Sequence, residues 1–270
     1  MLAYIRNRFH PLWRLRQLKW FRHLQLLIDF PVFTSVGKIK MQVLWLRNFS
    51  FLVGNDIFEE RTKRCFEAVV TGFEPTLFMD VGANLGIYSW QVLNVTDEAD
   101  IWLFEPDKVN IRLLTRTIAR NHLDRVTLHP VAVFDQSGDF SFLVDNASGA
   151  TGSLEAQSTD ITPLHNAYGI SATQLVPCIA LDSLLEKMRT KRVLIKIDVE
   201  GAEDKALRGA RQILREIRPV IIIECFDLKK IMWVLDYDYI IRDLKEVENF
   251  LLFPVEIKKQ VETEWLAGVE

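Results

Sequence analysis

Short apolar segments that alternate with helix-like stretches constrain the fold of this chain more than any other feature. Segments 76–80, 101–105, 126–133, 193–198 and 220–224 are near-continuous apolar runs. Such runs suit strands covered on both faces. Between them lie residues 87–93, a stretch opened by Pro106 and Asp107 with Ile111, Leu114 and Ile118 on one face, and residues 202–214 with Ala206, Leu207, Ala210 and Leu214 as the apolar stripe. This periodicity predicts helices. Strands alternating with helices predict an α/β fold, a doubly wound and mostly parallel sheet with helices on both faces. Asp80, Glu105, Asp198 and Glu224 end the first, second, fourth and fifth segments. They should therefore converge at the carboxyl edge, where open α/β sheets bind ligands.

The turn after the first strand is Gly82-Ala83-Asn84-Leu85-Gly86. Glycines at a strand-to-helix turn let backbone come close to a bound nucleotide. The spacing is not Gly-x-Gly-x-x-Gly, because Asp80 stands where a dinucleotide site has its first glycine. A carboxylate there suits the ammonium and sulfonium of S-adenosylmethionine better than a pyrophosphate. Gly82 and Gly86 should supply the turn, with the amides of Ala83 and Asn84 facing the cofactor. Asp80 should orient the cofactor's amino group through water or backbone, or else cap the following helix. Glu105 lies about 20 residues past the turn, which is where an acid accepts both ribose hydroxyls. Val131 and Ala132 line the adenine pocket or are plain core.

Three motifs in order, Asp80-Val81-Gly82-Ala83-Asn84-Leu85-Gly86, Phe104-Glu105-Pro106 and the run 194–203 with Lys196, Asp198, Glu200 and Glu203, are joined by Arg218-Pro219 before Ile223-Glu224. Together they resemble the FkbM family of S-adenosylmethionine-dependent methyltransferases over roughly residues 35–226. The resemblance implies a class I methyltransferase (Rossmann-like) fold, Pro106 beside the cofactor, and O-methylation of a hydroxyl on a carbohydrate or related small metabolite. A hydroxyl acceptor needs a base as the new bond forms. Asp198, Glu200 and Glu224 are the candidates. Asp198 also reads as a cofactor residue, and Lys196 would need burial to lower its pKa. A divalent cation held by these acids is the alternative to a protein base, though no metal site is expected. His129 and His165 read as structural. An NAD-linked oxidoreductase and a non-catalytic adaptor keeping the fold are the competing functions.

Charge is unevenly distributed. Residues 1–64 hold 12 of the 33 basic and 4 of the 36 acidic residues, a balance of +8 against −11 for the remainder. Arg6, Arg8, Arg14, Arg16, Lys19 and Arg22 precede the first acid, Asp29, and interleave with leucines and aromatics. Residues 1–34 thus read as a basic amphipathic helical extension before a methyltransferase domain at 35–270. Such a helix can lie peripherally on an anionic membrane or pack on its own domain. Nucleic acid is not expected, since nothing like an RNA-binding module accompanies the patch. Residues 135–177 form a polar, loop-rich excursion in which 140–144 and 174–176 read as short strands flanking a long loop, the pattern of a lid or binding loop. Residues 181–186 read as a capped helix leading back to the sheet. Cys65, Cys178 and Cys225 are odd in number and widely spaced, which suggests a reducing, cytoplasmic setting. The start lacks the pattern of a signal peptide.

Overall fold

The computed structural model describes residues 27–53, 60–145, 149, 152–154, 172–246 and 248–265. The basic stretch 1–26 and excursion residues 155–171, with His165, lie outside the described residues. A seven-stranded sheet runs in the order β12-β13-β11-β10-β3-β4-β5. Its parallel core is β3 (Leu77–Val81), β4 (Asp100–Phe104), β5 (Val126–His129), β10 (Val193–Ile197) and β11 (Val220–Glu224). β13 (Asn249–Pro254) runs antiparallel to β11, and β12 (Tyr239–Asp243) antiparallel to β13. The segment after Phe226, which carries no recognisable motif, therefore completes the sheet edge.

Alternate strand residues feed two cores because successive side chains point to opposite faces. Phe78, Ile101, Leu103, Leu194 and Ile222 pack with α2 (Glu60–Phe73), α3 (Ile87–Val95) and α4 (Lys108–Asn121). Leu77, Met79, Val81, Ile195 and Ile223 pack with α5 (Glu203–Arg208) and α6 (Arg211–Glu216). Helices thus cover both faces, as a doubly wound sheet requires. A hairpin of β1 (Pro31–Val36) and β2 (Ile39–Leu44) lies on α4 and carries ordered structure across the 34/35 boundary. Short helix α1 (Phe49–Val53) follows it. Among the described residues, no helix is long and apolar enough to cross a membrane.

The sequence reading needs four corrections. Residues 126–133 form two strands, β5 in the main sheet and β6 (Ala132–Val133) in a second one. Pro130 intervenes, with no N–H to donate and a fixed φ. The second sheet, β6-β9-β7-β8, contains β7 (Gly138–Val144), β8 (Ser153–Leu154) and β9 (Ala172–Ile179). The described part of the excursion is thus a small sheet with its own core around Phe134, Phe142 and Val176. The buried face of α4 is Asn110, Leu113, Leu114 and Thr117, rotated from the expected Ile111–Leu114–Ile118 stripe because the first turn is tethered by polar contacts.

The helix expected over 202–214 is broken into α5 and α6, although its stripe of Ala206, Leu207, Ala210 and Leu214 is buried as expected. Residues 181–187 form a 3-10 helix, not a side-chain-capped α-helix. Asp182 instead accepts the backbone N–H groups of Gln212 and Ile213 at 3.0 Å, which caps α6. The break occurs at Gly209, where the Phe134 carbonyl oxygen would lie 2.1 Å from any Cβ. Because φ at Gly209 is −74°, space and not conformation demands glycine there. Gly209→Ala should therefore cost about 2 kcal/mol, the usual scale of overpacking. Urea unfolding monitored by circular dichroism would read this as a lower midpoint, and an unchanged midpoint would contradict the contact.

Candidate active site

β3 and β10 end side by side, and the turns that follow them meet. Gly82 has φ 80°, and a Cβ there would lie 1.8 Å from the carbonyl oxygen of Asp198. Glycine is thus required both by conformation and by the approach of the neighbouring turn. Asp198 N–H donates to Val81 O at 2.9 Å and ties the two strand ends together.

Almost all amides of the glycine turn are consumed within the protein. Gly82 and Ala83 N–H both donate to Phe104 O at 3.0 Å, and Gly86 N–H donates to Ala83 O at 2.6 Å. Asn84 N–H donates to Glu105 Oε2 at 2.7 Å. The amides of Ala83 and Asn84 therefore do not face the cleft, contrary to expectation, because β4 and its terminal acid claim them first. Asp107 N–H donates to the other carboxylate oxygen, Glu105 Oε1, at 2.8 Å. Glu105 is thus held from both sides by backbone. Each oxygen keeps lone-pair capacity for a further donor, the geometry that suits a vicinal diol.

Asp107 is the N-cap of α4, its Oδ1 accepting the Val109 and Asn110 amides at 2.7 and 3.1 Å. Its Oδ2 accepts from Arg47 Nη2 at 2.9 Å, in an ion pair that is almost fully buried. Arg47 Nη2 also donates to the Asp145 carbonyl at 3.3 Å. The turn presenting Arg47 is pinned by Asp29, whose carboxylate accepts the amides of Leu46 and Arg47 at 2.7 and 2.9 Å. Asn110 Nδ2 donates to Asn84 Oδ1 and to the Gly149 carbonyl, both at 3.2 Å. One polar web therefore joins the hairpin, the glycine turn, α4 and the excursion.

The cleft above these turns spans about 570 Å³, part of it open to solvent. Of the expected site residues, Gly82, Asn84, Glu105, Pro106, Ala132, Asp198 and Glu200 line it together. Asp80, Ala83, Gly86 and Glu224 are not part of its lining. Glu224 sits at the end of β11, in register with Asn249. Asp80 is buried behind the turn, where it accepts the Ser89 hydroxyl at 2.6 Å together with the Ser89 amide. That is the capping arrangement for α3. Sequence reading did not single out Arg47, Asn110, Phe142 or Val199. Arg47 stands in no motif, but the Asp107-x-x-Asn110 spacing at a helix start was a readable capping signal.

Charge in the site is one-sided. Glu105, Asp107, Asp198 and Glu200 line the cleft, and among the described residues its lining holds no lysine, arginine or histidine. The nearest ammonium is Lys196, which is 1% exposed and faces Asp80 in register across β3. Lys196 Nζ lies 3.7 Å from Asp198 Oδ2 and 5.2 Å from the centre of the Tyr88 ring. It is a counter-charge to the two acids, the alternative to a base. His129 stacks on Phe104 at 4.7 Å, and burial lowers its pKa. Among the described residues, no group of three or more His, Cys, Asp or Glu side chains is gathered as a metal site would need.

Burial raises three carboxyls in and around the site. Asp80 is pushed up to about 7, against the pull of Ser89 and Lys196. Glu105 rises to about 8, with Asp107 adding to the effect of burial. Glu203 rises to about 7, although the Gly201 amide bonds it. A carboxyl whose pKa is raised on folding holds its proton longer in the folded chain than in the unfolded one. Its stabilising protonation is fully present below the unfolded value and is lost as pH rises through the folded one. Stability should therefore fall between about pH 5 and pH 8. Glu105→Gln should flatten that slope in denaturant midpoints measured across this range. An identical slope in the variant would place the titration elsewhere.

The model of the FkbM methyltransferase domain matches residues 80–254. No curated protein matches the chain. Among solved structures, an FkbM methyltransferase from Methylobacillus flagellatus is 21% identical over 66% of this chain and 43% of its own, with a TM-score of 0.46. The chain thus spans less than half of that protein. The O-methyltransferase from Bacillus cereus in complex with SAH is 12% identical, covering 76% of this chain and 84% of its own, TM-score 0.41. TYW2 from M. jannaschii in complex with AdoMet is 10% identical, covering 82% and 83%, TM-score 0.43. With the family model spanning well over half of the chain, and both strand-end turns of the cleft inside the matched region, the chain belongs to the FkbM methyltransferase domain family.

Proposed function

We propose that the chain uses S-adenosylmethionine to methylate a hydroxyl on a carbohydrate or related small metabolite. The observation that carries the cofactor reading is the consumption of the turn amides by Phe104 O, Glu105 and Ala83 O. A dinucleotide site leaves such amides free to cradle a pyrophosphate. Here no anion has donors to meet at Gly82, Ala83, Asn84 or Gly86, and four acids surround the cleft. A ligand that carries ammonium and sulfonium but no phosphate fits this charge, whereas NAD does not.

Bound S-adenosylmethionine supplies a methyl group on a sulfonium whose departure leaves a neutral thioether. Glu105 accepts the ribose hydroxyls, with its carboxylate aimed by the amides of Asn84 and Asp107. Pro106, Phe104 and Ala132 form a wall for the adenine. Asp80 acts indirectly, by fixing the first turn of α3 through Ser89. Asp198 lies where the β3 and β10 turns meet and faces the cofactor's charged end. Glu200, at φ 51° on the tight turn after β10, projects from the cleft wall as the base that takes the acceptor's proton. Glu224 supports that edge from β11. Phe142, Leu154 and Val199 give the acceptor an apolar side and help exclude water.

Calorimetry with S-adenosylhomocysteine and NAD tests the cofactor. The first should bind and the second should not. Glu105→Ala should weaken S-adenosylhomocysteine by roughly 2–4 kcal/mol, since two hydrogen bonds to a charged group are lost. Tight NAD binding without any response to S-adenosylhomocysteine would end the methyltransferase reading for this site.

The chemistry is tested by incubation with methyl-labelled S-adenosylmethionine and a metabolite extract. Asp198→Asn should damage cofactor binding and turnover together. Glu200→Gln should leave binding nearly intact and slow turnover ~10²–10⁴-fold. Full turnover in Glu200→Gln would move the base to another residue, and activity lost to a chelator but restored by magnesium would assign the role to a metal.

A further inference from the structure

α4 carries Lys108, Arg112, Arg116 and Arg120 and has no aspartate or glutamate. The four are spaced four residues apart and all are exposed. Residues at this spacing share one helix face, so the charges form a ridge about 18 Å long. Like charges at i and i+4 repel, and a helix built for stability alone would interleave acids. Among the described residues, none of the four forms an ion pair. The whole chain has a net charge of −3, so this ridge is a local feature against an acidic background.

The ridge does not stand alone. α4 lies against the β1–β2 hairpin: Thr117 Oγ accepts the Gln42 amide at 3.0 Å, and Arg116 Nη1 donates to Gln42 Oε1 at 3.4 Å. The Arg120 guanidinium sits 5.5 Å over the ring of Phe33, which is 52% exposed. Phe33 is in register with Gln42, so its ring lies on the hairpin side that meets α4. Exposed Lys40 pairs in register with Ser35, two residues along from Phe33. Arginines beside an exposed aromatic ring match the headgroup level of a bilayer, where cations meet phosphates and a ring sits among the upper acyl carbons.

We propose that the face made of the α4 ridge and the β1–β2 hairpin docks on an anionic phospholipid surface. A duplex nucleic acid would also meet the cations, but its stacked bases give Phe33 nothing to pack on; a single strand, whose bases can stack on a ring, is an outcome of the test. Lipid satisfies both halves of the face. The proposal is independent of the cofactor and of the acceptor. It also differs from an anchor formed by residues 1–26 alone, because the ridge belongs to the folded domain.

The test uses the full chain and sedimentation with two kinds of vesicle, phosphatidylcholine alone and phosphatidylcholine mixed with phosphatidylserine. At about 0.1 M salt the wild type should pellet with the mixed vesicles and stay in solution with the neutral ones. Arg116→Glu with Arg120→Glu should lower the partition at least ~tenfold while leaving residues 1–26 intact. The milder Arg116→Gln with Arg120→Gln should lose less, and unchanged thermal melting of either pair shows that folding is not the cause. Failure of the wild type to prefer anionic vesicles overturns the proposal. So does full binding by both folded variants, which would leave the N-terminal segment as the anchor. Binding to a single-stranded oligonucleotide without any vesicle binding would assign the face to nucleic acid.

Discussion

The site depends on the meeting of two backbone turns. Gly82 and the Asp198 carbonyl approach so closely that no side chain fits between them. This contact fixes where the β3 turn ends, and through the Gly82 and Ala83 amides it also fixes the end of β4 at Phe104. Glu105 then emerges at a set distance and direction. Its two oxygens clamp the Asn84 and Asp107 amides, and the clamp sets the start of α4. A change at Gly82 would therefore disturb three strand ends at once, whereas changes at the cleft walls would be felt locally.

Electrostatics follow from that packing. The turns bring four acids around one cleft, and a fifth, Asp80, lies behind it. Their mutual repulsion is balanced from outside the cleft. Lys196 serves Asp80 and Asp198 from within the sheet, and Arg47 serves Asp107 from the hairpin turn. Both cations are buried, and neither lines the cleft. The countercharges thus sit behind the cleft wall, and among the described residues the surface a ligand meets carries acids and no cation. A buried charge pair has a desolvation cost. Here the pairs separate the countercharge from the binding surface.

Much of this was legible in the sequence. The five parallel strands could be read because doubly covered strands are continuous apolar runs, and Glu105 could be read because it ends one of them. The break between α5 and α6 was not, because nothing local distinguishes Gly209 from a tolerated helix glycine; its reason is Phe134, some 75 residues earlier in the chain. The face of α4 was misread for a related reason. Asn110 and Thr117 are polar by composition yet buried, since Asn84, Gly149 and Gln42 supply their partners from distant segments. Arg47 was invisible for the same reason, as a lone charge whose partner lies 60 residues away.

α4 ties the two functional surfaces together. At its N-terminus Asp107 caps the helix and aligns Glu105, with Arg47 neutralising the cap. Along its outer face Lys108, Arg112, Arg116 and Arg120 project away from the core. The helix dipole favours the acid at the start and the arginine in the last turn, but it opposes Lys108 in the first. The buried face holds Leu113, Leu114 and Thr117 against the sheet and the hairpin. Packing therefore decides that the helix forms, and its outer face has only light structural duty, in the contacts of Arg116 with Gln42 and Arg120 with Phe33. Among the described residues the four cations there form no ion pair, so the composition of that face can answer to a partner.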